Sequence, residues 1–129
     1  MTDEHKKHVR QWLEKAEHDI IAVKTLIDVQ PLILDVACFH CQQAAEKYLK
    51  SFLAYHGADI KKTHDLRLLR NMCSQIDSEF SEIDFKDLNT YAVEVRYPNF
   101  ISPQMDEVKE YLLIAEKIKE LVNNKVKFH

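Results

Sequence analysis

Glycine occurs once in these 129 residues and proline three times. One glycine cannot build a phosphate-cradling glycine-rich loop. So few turn-formers also exclude a succession of tight hairpins and point to long helices with short connections. No stretch alternates apolar and polar residues as a half-buried strand does, and no internal repeat is present. No apolar run is long enough for a secretory leader or a membrane span, so the expected location is the cytoplasm. Cysteine is scarce and odd in number: Cys38, Cys41 and Cys73 fall within helical patterns and read as reduced, packed thiols. A basic excess is missing too, since the net charge is −3. A protein that grips nucleic acid with its whole surface is usually basic. Any contact with a nucleotide or RNA must therefore come from a local patch, and DNA binding is not expected.

What is present is an ordinary folded composition, 46% hydrophobic and 30% charged. The length suits a single domain spanning residues 1–129 with its own core. Five segments carry apolar residues at spacings of three and four. The first runs from about His5 to Val29, with Val9, Trp12, Leu13, Ala16, Ile20, Val23 and Ile27 on its stripe; Pro31 ends it. The second runs from about Leu34 to His56. Ala37, Cys41, Ala44, Tyr48, Phe52 and Tyr55 make one apolar row, and Cys38, Ala45, Leu49 and Leu53 a second. A helix apolar over that much of its girth is packed from two sides. Its remaining strip holds Gln43, Glu46, Lys47 and Lys50, and reads as a polar face with a favourable Glu46–Lys50 pair one turn apart.

Gly57 falls just past this helix, where a left-handed cap is needed. Thr63 or Asp65 can cap the third helix, which carries Leu66, Leu69, Met72, Cys73 and Ile76. Asp84 can cap a fourth, with Leu88, Tyr91, Ala92 and Val95, stopped by Pro98. Ser102-Pro103 is a start signal for the fifth, followed by Asp106 and Glu107 near the positive end of the helix dipole. Val108, Leu112, Ala115, Ile118 and Val122 form its stripe. Residues 123–129 read as a polar, frayed tail. The sum is an all-α antiparallel bundle with the second helix at its centre.

Four pieces of this chain, in order, resemble the HEPN domain family, a helical module linked to nucleotides and RNA. They are Trp12-Leu-Glu-Lys-Ala-Glu-His-Asp19, the run through Gln42-Gln-Ala-Ala-Glu-Lys47, Thr63-His-Asp-Leu66 and Arg96-Tyr-Pro98. The resemblance implies a four-helix up-and-down bundle with an additional C-terminal helix. It also implies a homodimer and, in many prokaryotic members, partnership with a minimal nucleotidyltransferase. Ribonuclease members, some toxin-like, carry an arginine followed after four to six residues by a histidine. The histidine moves a proton from the ribose 2′-hydroxyl while the arginine holds the phosphate. Here Arg96 matches the arginine, but Ile101, Ser102 and Pro103 stand where the histidine is needed. The expectation is a non-catalytic binding module without cofactor or metal. The alternative is a ribonuclease that pairs Arg96 with a histidine from elsewhere, such as His64 or one from a partner subunit.

Each candidate residue has two readings. Arg96 either satisfies the last carbonyls of a helix or clamps a phosphate with its planar fork. Tyr97 stacks on a base or staples the corner. His64 closes a turn or contacts a nucleotide near a helix N-terminus. Lys47 and Gln43 line a groove or belong to a solvated face. Together Arg96, Tyr97, His64, Lys47 and Gln43 form the expected nucleotide site. Cys38-x-x-Cys41, with His40 between, lacks a second ligand pair and is a poor zinc site.

Overall fold

The computed structural model describes residues 1–93 and 101–128. Among them are four α-helices and no strand: α1 (Asp3–Leu26), α2 (Leu34–Tyr55), α3 (Leu66–Ile76) and α4 (Met105–Lys125). Two short 3-10 turns, Ser78–Glu82 and Leu88–Tyr91, stand between α3 and α4. The all-helical architecture is the expected one. No helix among the described residues is long and apolar enough to cross a membrane.

Thr2 caps α1, its hydroxyl accepting from the His5 amide. The helix lays Val9, Ala16, Ile20 and Val23 into the core, the stripe read from the sequence. α2 is buried along both of its apolar rows, and it touches α1, α3, α4 and the second 3-10 turn. It is the central helix, as its girth required. The contacts between α1 and α2 run in opposite order along the two helices: Asp19 meets His40 and Lys47, Glu17 meets Tyr48, and His5 meets the Ala54 carbonyl. These two helices are therefore antiparallel. α4 also runs against α1, because Lys24 meets Glu116, Glu17 meets Lys119 and Arg10 lies over Phe128.

Gly57 ends α2 with φ +68°, while its amide bonds the Ala54 carbonyl and the Ala58 amide bonds the Leu53 carbonyl. This paired closure is the glycine-terminated helix end that the sequence marks. A connection over residues 57–65 then carries the chain back along α2, so that His64 lies beside Glu46. Asp65 caps α3, accepting from the amides of Arg67 and Leu68. Phe52 and Phe80, with ring centroids 4.3 Å apart, seal the far end of this contact.

Three expectations change. The segment expected as a fourth helix is, in its described part, the 3-10 turn Leu88–Tyr91, and Asp84 closes a turn onto the Lys86 amide instead of capping a helix. Leu88 and Tyr91 are three residues apart, a spacing that serves a 3-10 turn as well as an α-helix. Val95 and Pro98 lie outside the described residues. The last helix starts at Met105, two residues later than Pro103 suggests, with Gln104 as N-cap and its amide donating to Glu107 Oε1. Finally, the C-terminal residues are tied down through Phe128. Val126 is buried, Tyr55 donates to the Lys127 carbonyl at 2.9 Å, and Arg10 packs on the Phe128 ring. Lys125 bridges Asp77 at 2.5 Å and Glu79 at 3.0 Å. Apolar Val126 and Phe128 have core to cover, which a count of polar residues in the tail overlooks.

Candidate functional site

The strip of α2 that carries no core residue of its own is where the polar chemistry gathers. It has two halves, one facing α1 and one facing the corner before α3. On the α1 side, Asp19 is almost fully buried and accepts from two side chains of α2. His40 Nδ1 lies 2.7 Å from Asp19 Oδ1, and Lys47 Nζ lies 2.6 Å from Asp19 Oδ2. His40 and Lys47 are two turns apart on one helical face, so one carboxylate can bridge them. Just beyond, Tyr48 donates to Glu17 at 2.8 Å and Lys119 reaches the same carboxylate at 2.6 Å. Burial and the adjacent Glu17 push the Tyr48 phenol well above its ordinary range. Burial raises the Glu17 carboxyl, but the hydrogen bonds from Lys119 and Tyr48 outweigh it and leave it below the usual range.

On the other side Glu46 is the hub. It is only 3% exposed. Lys50 Nζ donates to Glu46 Oε2 at 3.0 Å, and His64 Nδ1 lies 2.8 Å from Oε1. Gln42, fully buried, donates to the His64 carbonyl at 3.0 Å, and Gln43 donates to Gln42 Oε1 at 2.8 Å. Lys50 also lies over the Trp12 ring, 5.5 Å from its centroid. A buried ion pair of this kind is tolerated when further hydrogen bonds complete it. Glu46 and Lys50 are thus interior residues, not a solvated pair; Trp12 and the His64 corner cover them. The His64 side chain itself is 63% exposed and has one nitrogen fixed by a buried carboxylate.

Of the expected site, His64, Gln43 and Lys47 lie on this one strip. His64 and Gln43 belong to the Glu46 half, while Lys47 is held by Asp19 in the other half. Arg96 and Tyr97 lie outside the described residues. Asp19, His40 and Gln42 are the members that the sequence reading passed over. A signal existed for two of them. Asp19 interrupts the apolar spacing Ala16–Ile20–Val23, and Gln42 stands in the row Cys38–Ala45–Leu49. A polar residue on a buried row needs a partner.

Cys38, Cys41 and Cys73 are all buried, and none is in a disulfide. Burial lifts the Cys73 thiol to about 12 and puts Cys41 higher still. These are packed thiols and poor metal ligands, and no three His, Cys, Asp or Glu side chains converge among the described residues. A groove of about 610 Å³ lies elsewhere, between α4 and the 78–86 segment. Its walls carry Glu79, Glu82, Asp84 and Glu110 against Lys86 and Lys117, an excess of negative charge that disfavours phosphate.

Comparison with known proteins converges on one family. A family model for the HEPN domain matches residues 9–125. The fold is similar to the crystal structure of ST0689, an archaeal HEPN homologue. The TM-score is 0.64 at 22% identity, covering 92% of this chain and 98% of that one. No curated protein matches the chain. The matched span takes in most of α1, the polar strip of α2, the His64 corner and all of α4, and on that match the chain belongs to the HEPN domain family.

Proposed function

We propose that this chain is a non-catalytic HEPN module that holds a nucleotide or a short RNA segment on the polar strip of α2. It would act as a homodimer and serve as the partner subunit of a minimal nucleotidyltransferase. The observation that carries the reading is the Glu46 hub. A buried carboxylate fixes Lys50 and His64, an arrangement that a merely solvated helix face would not need. Lys47 and Gln43 stand on the same strip with partly open side chains. Arg96 supplies the planar fork that suits phosphate oxygens, and Tyr97 supplies a phenol for stacking. The overall charge of −3 favours a protein partner over free RNA as the main ligand and confines nucleotide binding to this patch. Ile101, Ser102 and Pro103 in place of the histidine argue against the family's ribonuclease chemistry.

Titration calorimetry of the purified chain with AMP and with short oligoadenylate tests the binding. Saturable binding that weakens with salt and is lost in Arg96→Ala is expected; no heat with either ligand would overturn it. Light scattering at tens of micromolar checks the homodimer, and co-elution with a nucleotidyltransferase checks the partnership.

A second reading, a ribonuclease, has one observation in its favour. His64 Nδ1 sits 2.8 Å from the buried Glu46 carboxylate, the geometry that orients a histidine for proton transfer. If it operates, single-stranded RNA is cleaved without metal, and both His64→Ala and Arg96→Ala abolish cleavage.

A further inference from the structure

We propose that Trp12 is a stacking shelf for a nucleobase and that Lys15 holds the phosphate attached to that base. The proposal rests on the nucleotide-binding reading and deepens it, since it adds to the Arg96 and Tyr97 groups a second stacking surface, on α1.

His8, Gln11, Trp12 and Lys15 line a cleft of about 190 Å³ on α1. Their spacing of three, four and seven residues places them on one helical face. The indole is held from two directions. Its Nε1 donates to His8 Nε2 at 3.4 Å, and the His8 ring stands nearly perpendicular to it, at 77° with centroids 6.3 Å apart. Lys50 lies over the ring from the protein side, and Glu46 in turn holds Lys50. The Glu46 hub that organises the α2 strip therefore also fixes the position of Trp12. What remains of the indole surface forms a wall of the cleft, with the imidazole as an upright second wall.

The contents of the cleft select the ligand. A pocket for a drug-sized molecule measures roughly 300–1,000 Å³, so this one takes a single ring system and leaves any sugar and phosphate outside. Every base offers a flat π face to an aromatic platform, whatever its sequence. Gln11 can donate to and accept from a base edge, and makes no hydrogen bond to another described residue. Lys15 is exposed, one turn beyond Trp12, and makes no ion pair with another described residue. The neighbouring Glu14 is turned to His18, at 4.0 Å. An aromatic wall, an amide and an exposed cation within one turn match a base with its phosphate.

Trp12 is the only tryptophan in the chain, so fluorescence excited at the red edge, where the tyrosines do not absorb, reports this site alone. The intact protein is titrated with AMP and with short oligoadenylate, by fluorescence and by calorimetry in parallel. Saturable quenching is expected, with a midpoint equal to the calorimetric one. Loss of stacking should weaken binding roughly 5- to 150-fold, which Trp12→Leu tests where it remains folded. Lys15→Ala, an exposed change that leaves the fold alone, should weaken it several-fold. Saturation by AMP identifies a free nucleotide as sufficient. Saturation by oligoadenylate alone identifies a strand; either supports the shelf. Calorimetric binding that Arg96→Ala removes, with fluorescence unchanged and Lys15→Ala neutral, overturns the shelf and leaves the nucleotide-binding reading standing. Linear, unsaturable quenching that ignores Lys15→Ala also overturns it. No binding by either method overturns both.

Discussion

Glu46 meets a demand that few residues in this chain face: a carboxylate 3% exposed, with an ammonium and an imidazole both turned to it. Taking charges out of water costs several kcal/mol per ion, roughly, and only a complete set of partners offsets that cost. Removing one partner is therefore worse than removing both. Glu46→Ala strands the Lys50 ammonium, which is itself only 6% exposed. It should lower stability by about 3–5 kcal/mol, measured as the shift in a urea unfolding curve. Glu46→Leu with Lys50→Met, an apolar pair of similar volume, should recover most of that loss. A Glu46→Ala loss below about 1 kcal/mol would mean that water reaches the pair in solution, as it does for surface pairs. His64→Ala separates the two roles of the hub. Its side chain is mostly exposed, so the change should cost little stability, whereas on the reading proposed above it weakens nucleotide binding.

At the scale of elements, local chemistry explains where the helices stop and tertiary contact explains what they hide. Gly57 was legible, and Asp65 was one of two caps offered with Thr63, because an end cap is decided by one residue and its neighbours. At Gly57 a Cβ would meet nothing within 4 Å, so the cost of substitution is conformational alone. Gly57→Ala should cost about 1–2 kcal/mol, the usual cost of left-handed backbone for an L-residue, and Gly57→Asn less. Thermal melting of the two variants checks the order; an Ala variant as stable as the parent would show that the turn can relax. Burial along the α2 strip was not legible. Helical periodicity places Glu46 and Lys50 opposite the apolar rows, yet it carries no information about the 57–65 connection that folds His64 back over them. The fourth apolar segment was ambiguous in itself, because Leu88 and Tyr91 fit two kinds of turn. The C-terminal clasp was missed because its partners, Asp77 and Glu79, lie nearly fifty residues away.

That clasp has a pH signature of definite sign. The hydrogen bond from Lys125 holds the Asp77 carboxyl below its ordinary 3.8, helped by the Glu79 amide. The same bond raises Lys125 above 10.5. A carboxyl whose folded value is depressed stabilises the fold above its unfolded value, and that stability fades as pH falls through the folded one. A lysine with a raised folded value stabilises below its unfolded value, and loses that as pH climbs through the folded one. The clasp should thus be complete between those limits. The difference in urea midpoint between the parent and Lys125→Ala should be constant near neutrality and shrink below pH 3.8. A difference that persists undiminished in strong acid would show that Lys125 acts through packing of its stem.

Over the whole molecule, the three thiols report how cooperatively the core opens. Cys38 and Cys41 sit on α2 between its neighbours, and Cys73 on α3 has its sulfur 3.5 Å from the Leu49 carbonyl. They therefore sample two helices joined through one core. All three are fully shielded from solvent. Only the thiolate attacks an electrophile, and burial holds Cys73 at about 12 and Cys41 higher still. Neither exposure nor ionisation favours reaction in the folded state. An aromatic disulfide reagent at mild alkaline pH should leave the native protein unmodified on the timescale that labels a free thiol. Labelling should appear only at the rate of opening, and if α2 and α3 unfold as one unit, all three thiols should label together. Mass spectrometry of partly labelled samples decides this. Populations with none and with three labels support a single cooperative core. A dominant species labelled at Cys73 alone would show that α3 detaches from α2 before the rest unfolds, and with it the His64 corner that closes over Glu46.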